Sequence, residues 1–170
     1  SCQALVEPLL LSLEHISARI NDLDQLLERM ATEDYPETAR LRQIPGVGPL
    51  TALSFVLTLE DPSRFKANRE VGAYLGLVPK RDQSGATDKQ LRITKAGNTQ
   101  LRCLLVNCSH YILGPFGPDT ALRQAGLRLC ERGGQAAKKR AVIAVARKLS
   151  VTMLALWKSG TDYQPQPLAA

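Results

Sequence analysis

Apolar side chains recur through the first thirty residues at alternate spacings of four and three positions. The positions that share this spacing are Cys2, Val6, Leu9, Leu13, Ile16, Ile20, Leu23, Leu27 and Met30. This period is that of the a and d positions of a heptad repeat, so it predicts one long helix with an apolar seam of about four heptads. Charged residues such as Glu14, Arg19 and Asp24 fall between the seam positions, as on a solvated face. Pro8 predicts an early kink or the first turn of the helix.

Two interpretations of this helix remain open. The seam is typical of a coiled coil, and we expect it to join copies of the chain into a homo-oligomer. Leu5, Leu10, Leu11 and Leu26 widen the apolar face beyond a strict seam, however. A wider face also suits a helical hairpin arm, or a helix that packs against its own domain.

The rest of the chain predicts further helices and no sustained strand alternation, so the fold class is all-α. We place a coiled-coil segment at residues 1–38, a compact helical domain at 39–158 and a flexible tail at 159–170. Residues 80–92 are polar without a strong period and predict a loop. Thr94 or Asn98 is suited to cap the helix that follows. The last helix is predicted from about Gln135 to Trp157.

Residues 44–52 read Ile-Pro-Gly-Val-Gly-Pro-Leu-Thr-Ala and predict a helix-hairpin-helix. Gly46 and Gly48 allow a tight turn and a close approach of the backbone to a partner. The N–H groups of the turn and of the next helix can then point at one phosphate, and Pro49 suits the first helical position. The plain alternative is a structural helix pair, because Gly-Pro turns join helices in many folds.

Charge is unevenly distributed along the chain. Residues 1–40 carry eight acidic and three basic residues, whereas residues 41–170 carry eight acidic and nineteen basic residues. Such an asymmetry indicates a polyanion-binding part joined to a part with another task, and DNA is the expected polyanion. A basic surface that only keeps the protein in solution is the alternative.

Other protein classes are disfavoured. The chain opens with no basic stretch followed by an apolar run, and it contains no apolar stretch of the ~20 residues that span a bilayer. We therefore expect a cytoplasmic protein without a membrane partner, and a piece of a longer chain. The cysteines, Cys103 and Cys108 among them, lack the close pairs typical of zinc sites, so we expect no metal and no cofactor here.

Five short blocks occur in order between Ile44 and Leu149. They are Ile-Pro-Gly-Val-Gly from Ile44, Leu-Gly-Leu-Val-Pro from Leu75, Ser-Gly at Ser84, Ile-Thr-Lys-x-Gly-Asn from Ile93 with Leu-Arg at 101–102, and Ala-x-Ala-Arg-Lys-Leu from Ala144. In this order and at these spacings they resemble the C-terminal transposase domain of insertion-sequence recombinases that are guided by a bridge RNA. The resemblance covers residues 40–157.

The resemblance implies a serine nucleophile that joins the protein to DNA, and the matching residue is Ser84. A serine hydroxyl is a weak nucleophile unless it is deprotonated or placed against an activated phosphate. Phosphoryl transfer also needs positive charge near phosphorus. Nearby cations suited to this task are Lys80, Arg81, Lys89, Arg92 and Lys95. Without the resemblance, Ser84 would be an ordinary polar residue of a turn.

Further candidate nucleic-acid contacts follow from the same blocks. Asn98 is suited to orient a phosphate or to cap a helix, and Arg102 follows in the same helix. Arg147 and Lys148 belong to the last block, in a helix that Lys138, Lys139 and Arg140 also make basic. The alternative for that helix is a solvated face.

The chain departs from the resembled family in one respect. Those recombinases carry an N-terminal RuvC-like domain with four acidic residues that bind magnesium, and residues 1–40 offer no such set. We expect magnesium in that missing domain, a guide RNA as a partner, and DNA binding without recombination by this piece alone. The predicted function is strand cleavage and exchange of a mobile insertion element. The alternative is a non-catalytic helix-hairpin-helix DNA-binding module with a coiled-coil oligomerisation arm.

Overall fold

The computed structural model describes residues 2–84, 87–131 and 133–165, and for residues 2–4, 81–84 and 87–90 it describes the backbone but not the side chains. In this part of the chain the helices are α1 (Cys2–Arg29), α2 (Thr38–Leu41), α3 (Pro49–Leu59), α4 (Glu70–Tyr74), α5 (Thr99–Leu113), α6 (Ala121–Cys130) and α7 (Gly134–Ser159), and the strands are β1 (Pro79–Ser84) and β2 (Thr87–Ile93). The predicted all-α class is confirmed, with one small hairpin added. None of the helices described here combines the length and apolar character that crossing a membrane requires.

Helix α1 is the long N-terminal helix that the heptad period predicts. It begins ahead of Pro8, which lies inside the helix. Every residue from 5 to 26 is exposed, so the apolar seam finds no cover within the described chain. A five-residue π-helical turn, Met30–Asp34, ends the helix and leads towards α2.

Two side-chain contacts fix the C-terminal end of α1 to the compact domain. The hydroxyl of Thr38, which is fully buried, donates to the carbonyl oxygen of Ala31 at 2.6 Å. The guanidinium of Arg42 lies 2.8 Å from a carboxylate oxygen of Glu28. These contacts set the direction in which α1 leaves the domain.

The hydrophobic core lies among α3, α5 and α7, and α2, α4 and α6 cover its sides. Each of the three central helices contributes a fully buried side chain, such as Phe55, Leu105 and Leu149. Aliphatic residues fill most of this core, in line with the small aromatic content of the chain. The core thereby gives α7 one buried face and leaves its other face to the surface described below.

The segment from α2 to α3 is a helix, a turn and a helix. Pro49 is the first residue of α3, as predicted, and Gly48 precedes it in an extended conformation. Gly46 has a φ of +88°, and a Cβ there would lie 2.7 Å from Cδ1 of Tyr111. Helix α5 therefore fills the space beside Gly46 that a side chain would take.

Residues 80–92 were predicted as a polar loop, and this prediction was wrong. Strands β1 and β2 pair antiparallel, with Pro79 opposite Ile93, Ser84 opposite Thr87, and an irregularity between Pro79 and Arg81. Apart from Pro79, Leu91 and Ile93 at the base of the hairpin, the strand residues are polar, so the strands lack the sustained alternation by which a half-buried strand is recognised. The backbone N–H of Thr94 donates to the carbonyl oxygen of Val78, and that of Lys95 to the carbonyl oxygen of Gly76, which extends the pairing towards the domain.

The C-terminal segment is held against the domain beyond the end of α7. The amide of Gln43 donates to a carboxylate oxygen of Asp162 at 2.9 Å and its oxygen accepts from the backbone N–H of Tyr163 at 2.7 Å. The Tyr163 ring packs against the core. The first part of the predicted flexible tail is thus anchored at Asp162 and Tyr163, and residues 166–170 lie outside the described residues.

Candidate nucleic-acid interface

A groove of about 960 Å³ lies between the base of the hairpin and α7. Its hairpin side is formed by residues of β2 and by the segment before β1, and its other side by one face of α7. The lining residues are Leu77, Pro79, Leu91, Arg92, Ile93, Lys139, Arg140, Ile143, Ala144, Arg147, Lys148 and Val151.

The rim of the groove is strongly basic. Its five cationic residues are Arg92, Lys139, Arg140, Arg147 and Lys148, and no acidic residue lines it in the described part of the chain. None of the five forms an ion pair with any side chain that the structure describes. Like charges gathered in a concave surface focus the electrostatic potential and attract a polyanion.

The groove lining also contains apolar side chains from both sides. Leu91 and Ile93 lie two residues apart on one strand and therefore share a face. Ile143, Arg147 and Val151 are each four residues apart on α7 and share a face of that helix. These spacings are visible in the sequence, but only the tertiary fold shows that the two faces oppose each other across one groove.

Arg147 is positioned by a neighbouring glycine. A Cβ at Gly72, which is buried in α4, would lie 2.9 Å from Cγ of Arg147 and 3.1 Å from its Nε. The missing side chain at Gly72 thus makes room for the stem of Arg147, which is half-buried. Lys148 is exposed beside it.

Arg102 was predicted to contact nucleic acid, and the structure gives it a different environment. Only 7% of Arg102 is exposed. Its guanidinium donates to the carbonyl oxygens of Leu75 and Ala96 at 3.2 and 2.7 Å, and to the hydroxyl of Thr99 at 3.1 Å. A guanidinium engaged in this way supports the frame of the site instead of binding a phosphate, so we withdraw Arg102 from the set of contacts.

The segment after β2 packs tightly against the end of α4. Gly97 has a φ of +69°, and a Cβ there would lie 2.2 Å from the carbonyl oxygen of Tyr74. Next to it, Asn98 caps α5, and its side-chain oxygen accepts from the N–H of Leu101 at 2.9 Å. The capping interpretation of Asn98 is confirmed, and the two residues together fix where the hairpin joins the domain.

The groove gathers only part of the predicted set. Arg92, Arg147 and Lys148 line it, whereas Lys80 and Lys95 are exposed near the hairpin base but are not among its lining residues. Gly46 and Gly48 lie in the turn between α2 and α3. Lys139 and Arg140 also line the groove but were not among the predicted contacts, because the sequence of an exposed basic helix face is the same with or without a groove beside it.

The side chains of Ser84, Arg81 and Lys89 lie outside the described residues. The backbone of Ser84 pairs with Thr87 at the distal end of the ladder, five residues from Pro79 at the groove. At about 3.3 Å per strand residue, Ser84 stands roughly 17 Å along the hairpin from the groove. The hairpin therefore presents Ser84 away from the compact domain.

The two cysteines of α5 have different environments. Cys103 is exposed, whereas Cys108 is buried and its sulfur lies 3.6 Å from the hydroxyl of Thr51. Burial raises the pKa of the Cys108 thiol, and the contact with Thr51 opposes that shift in part. Cys108 is therefore a packed core residue.

Known proteins match the sequence of most of this chain. The model of the family described as "Transposase IS116/IS110/IS902 family" matches residues 38–124, from α2 into α6, including the hairpin. The transposase for insertion sequence element IS1111A of Coxiella burnetii is 35% identical over 146 residues, which is 85% of this chain and 39% of that protein.

Two further relatives also match most of the chain. The putative transposase y4rJ of Sinorhizobium fredii is 38% identical over 130 residues, 74% of this chain and 31% of that protein. The pilin gene-inverting protein of Moraxella lacunata is 30% identical over 143 residues, 81% of this chain and 43% of that protein. The chain thus spans between 31% and 43% of the length of these three relatives. With the family model matching half of the chain and relatives matching most of it, the chain belongs to the IS116/IS110/IS902 transposase family.

Proposed function

We propose that this chain is the part of a DNA transposase that holds DNA across the hairpin and the groove, and that supplies Ser84 for strand cleavage and exchange. The observation that carries the proposal is the position of the five groove cations. They lie at the base of the same hairpin whose distal end bears Ser84. A DNA strand whose phosphates run along the hairpin would contact both the groove cations and Ser84.

The proposed chemistry is a phosphoryl transfer to serine. The Ser84 hydroxyl loses its proton to a base, and its oxygen forms a bond to the phosphorus of a DNA phosphodiester. The bond from that phosphorus to the leaving deoxyribose oxygen breaks, and the freed strand end takes up a proton. In the second step, the hydroxyl of a strand end attacks the phosphorus of the phosphoserine. The bond from phosphorus to the Ser84 oxygen breaks, the new strand is joined, and the Ser84 hydroxyl regains its proton. Cations near the phosphate stabilise the charge of the transition state.

The resemblance to bridge-RNA-guided recombinases adds two partners to the proposal. A guide RNA presents the same phosphate chemistry as DNA, so the basic rim suits it as well. Magnesium belongs to the upstream RuvC-like domain of the resembled family. Within the described residues there is no cluster of three His, Cys, Asp or Glu side chains that fits the ion, so no ligand to it is assigned here.

The test is covalent trapping of end-labelled DNA by the full-length protein that contains this chain. The parent protein should yield a labelled protein–DNA adduct that survives denaturing electrophoresis. The Ser84→Ala variant should yield none, and Ser17→Ala, which removes an exposed hydroxyl of α1, should trap as the parent does. Equal trapping by Ser84→Ala and the parent would refute the role of Ser84.

A second candidate function is a non-catalytic helix-hairpin-helix module that docks DNA for another subunit. One observation favours it: Gly48, directly before α3, has no heavy atom within 4 Å of the position that a Cβ would take. A phosphate therefore has free access to the start of α3 at this point. The filled space beside Gly46 counts against the same candidate.

The variants Gly48→Asp and Gly48→Ser separate the two functions. Both Asp and Ser are favoured immediately before a helix, so neither change should lower the stability of α3. If the turn binds a phosphate, the carboxylate of Gly48→Asp will weaken DNA binding at least tenfold relative to Gly48→Ser. If the groove and hairpin carry the contact, the two variants will bind DNA equally.

We also propose that the apolar seam of α1 joins copies of the chain into a homo-oligomer.

A further inference from the structure

The groove between the hairpin base and α7 is more apolar than the binding of phosphates requires. Seven of its twelve lining residues are apolar, namely Leu77, Pro79, Leu91, Ile93, Ile143, Ala144 and Val151. They come from both sides of the groove, so apolar side chains of β2 lie opposite apolar side chains of α7. Cations alone are sufficient to bind the phosphates of a duplex. The apolar lining therefore points to a second chemical group in the ligand.

We propose that the groove takes up an unpaired base of the bound DNA, while the groove cations hold the phosphates that flank this base. The inference rests on the proposed function, in which DNA lies across the hairpin and the groove, and it adds the state of the DNA there. A base within a duplex is stacked and paired, so its faces are hidden from a protein surface. An unpaired base exposes two flat faces, which pack between apolar or aromatic side chains when a protein takes a base out of the stack.

The dimensions of the groove suit a nucleotide. Its volume of about 960 Å³ lies at the upper end of the range of about 300–1,000 Å³ that is usual for sites enclosing a small organic molecule. One or two nucleotides fit into such a space, whereas a duplex can only lie across its opening. Leu91 and Ile93 would then lie on one side of the base, and Ile143 and Val151 on the other.

Arg147 is the cation best placed to contact the inserted base. It lies between Ile143 and Val151 on the same face of α7, and its stem occupies the space left by Gly72. The guanidinium of Arg102 is bound to two carbonyl oxygens, but that of Arg147 has neither an ion pair nor a carbonyl partner among the residues that the structure describes. Its N–H groups and its flat face are therefore available to the edge or the face of a base.

The charges of the lining favour nucleic acid over a protein segment as the occupant. A peptide in the groove would meet five cations and, in the described part of the chain, no acidic residue. Each nucleotide of a DNA strand brings one negative charge together with one base. On α7, Lys139 and Arg140 lie about one turn before Ile143, and Arg147 and Lys148 about one turn after it. A base beside Ile143 thus has cations on both sides for its flanking phosphates.

The groove lies at a defined distance from the proposed nucleophile. The backbone of Ser84 is roughly 17 Å along the hairpin from Pro79 at the groove. A stacked DNA strand advances about 3.4 Å per nucleotide, so this distance corresponds to about five nucleotides. We therefore expect the inserted base about five nucleotides from the phosphate that Ser84 attacks, where it would hold the strand in register for cleavage and joining.

Binding of bulged duplexes by the 170-residue chain tests the uptake of a base. Fluorescence anisotropy compares three labelled DNA duplexes of one sequence: fully paired, with one extrahelical thymine, and with an abasic site in place of that thymine. The thymine bulge should bind about fivefold more tightly than the paired duplex, or better, because a base that stacks on protein side chains contributes at least this factor. The abasic bulge should bind within about twofold of the paired duplex, since it has no base to insert.

Two results of this comparison would refute the uptake of a base. One is equal affinity for the thymine bulge and the paired duplex. The other is an equal gain for the thymine and abasic bulges, because the flexibility of the bulged DNA would then explain the gain.

Leu91→Gln tests whether the groove receives the base, and Leu57→Gln is the matched control. The two leucines are 47% and 48% exposed, and Leu57, on α3, does not line the groove. Leu91→Gln keeps the charge of the protein, so it should bind the paired duplex as the parent does and lose the preference for the thymine bulge. Leu91→Phe should keep the preference, because an aromatic ring also stacks on a base. Loss of the preference in both glutamine variants, or in neither, would contradict the placement of the base in the groove.

The same measurements separate this inference from the proposed function. If the paired and bulged duplexes bind equally, with an affinity that falls with salt, the uptake of a base is wrong and the groove cations still explain DNA binding. If the chain binds neither duplex, the proposed function fails as well. A preference for the thymine bulge that appears in an RNA duplex but not in the DNA duplex would overturn DNA as the occupant of the groove.

Discussion

The guanidinium of Arg102 donates a 2.7 Å hydrogen bond to the carbonyl oxygen of Ala96, a residue that follows the hairpin. The same group donates to the carbonyl oxygen of Leu75, which precedes the hairpin. One buried cation thus joins the two points at which the chain leaves the domain and returns to it. The position of the hairpin base beside the groove therefore depends on the hydrogen bonds of Arg102.

Replacing Arg102 with Met should therefore affect stability first. The change removes three hydrogen bonds and leaves two carbonyl oxygens without their charged donor, so the free energy of unfolding should fall by about 2–4 kcal/mol. Urea denaturation measures this loss. Arg128→Met, at an exposed position of α6, is the control and should change stability little. Full stability together with weakened DNA binding in Arg102→Met would restore the original expectation that Arg102 contacts nucleic acid.

Gly97 should tolerate no side chain. A Cβ there would meet the carbonyl oxygen of Tyr74 at 2.2 Å, so Gly97→Ala must displace either the hairpin or α4. The matched control is Gly160→Ala, because Gly160 has a similar φ of +65° and open space around it. Both variants carry the strain of a left-handed alanine, about 1 kcal/mol. Gly97→Ala should lose at least a further ~2 kcal/mol in thermal or urea unfolding, and an equal loss in both would show that the close contact is unimportant.

Local signals in the sequence predicted local features correctly. Pro49 at the start of α3 and Asn98 at the cap of α5 each act within three residues, so no tertiary knowledge was needed. The heptad period likewise predicted α1, since a single helix displays its own period.

Features that arise from distant contacts were not predictable. The hairpin has only the short apolar pair Leu91 and Ile93 at its base, so its sequence shows no sustained strand period. Arginine usually lies on the surface, so nothing in the sequence indicated that Arg102 is buried. Its burial arises because Leu75 and Ala96 meet in the fold and their carbonyl oxygens accept from its guanidinium. The groove is also a product of packing, because Arg92 and Arg140 lie on separate elements that the fold brings together.

The cysteines of α5 should differ in reactivity. Burial raises the pKa of the Cys108 thiol, so at any given pH it holds less of the reactive thiolate than an ordinary cysteine. Iodoacetamide at pH 8 should label the exposed Cys103 quickly and Cys108 only after unfolding, as mass spectrometry of the peptides can show. The folded state favours the protonated thiol of Cys108. The free energy of unfolding should therefore fall as the pH rises past the pKa of the unfolded thiol, near 9.0. Rapid labelling of Cys108 in the folded protein would contradict this packing.

The groove cations should determine how DNA binding responds to salt. Each cation that neutralises a phosphate adds about one unit to the slope of log K against log salt concentration. Arg92→Gln and Arg140→Gln remove charge from opposite sides of the groove, so each should lower the slope by about one and the double variant by about two. Fluorescence anisotropy with a labelled duplex between 50 and 200 mM salt measures the slope, within a range where affinity falls by orders of magnitude.

Lys66→Gln provides the control for this series, since Lys66 is exposed and does not line the groove. It should leave the slope unchanged, because removing one charge from the net of +6 has little effect unless that charge contacts a phosphate. If Lys66→Gln lowered the slope as much as Arg140→Gln, binding would follow the overall charge of the protein and the groove would have no special role. A selective loss at the groove would instead place phosphates between β2 and α7, along the path that leads to Ser84.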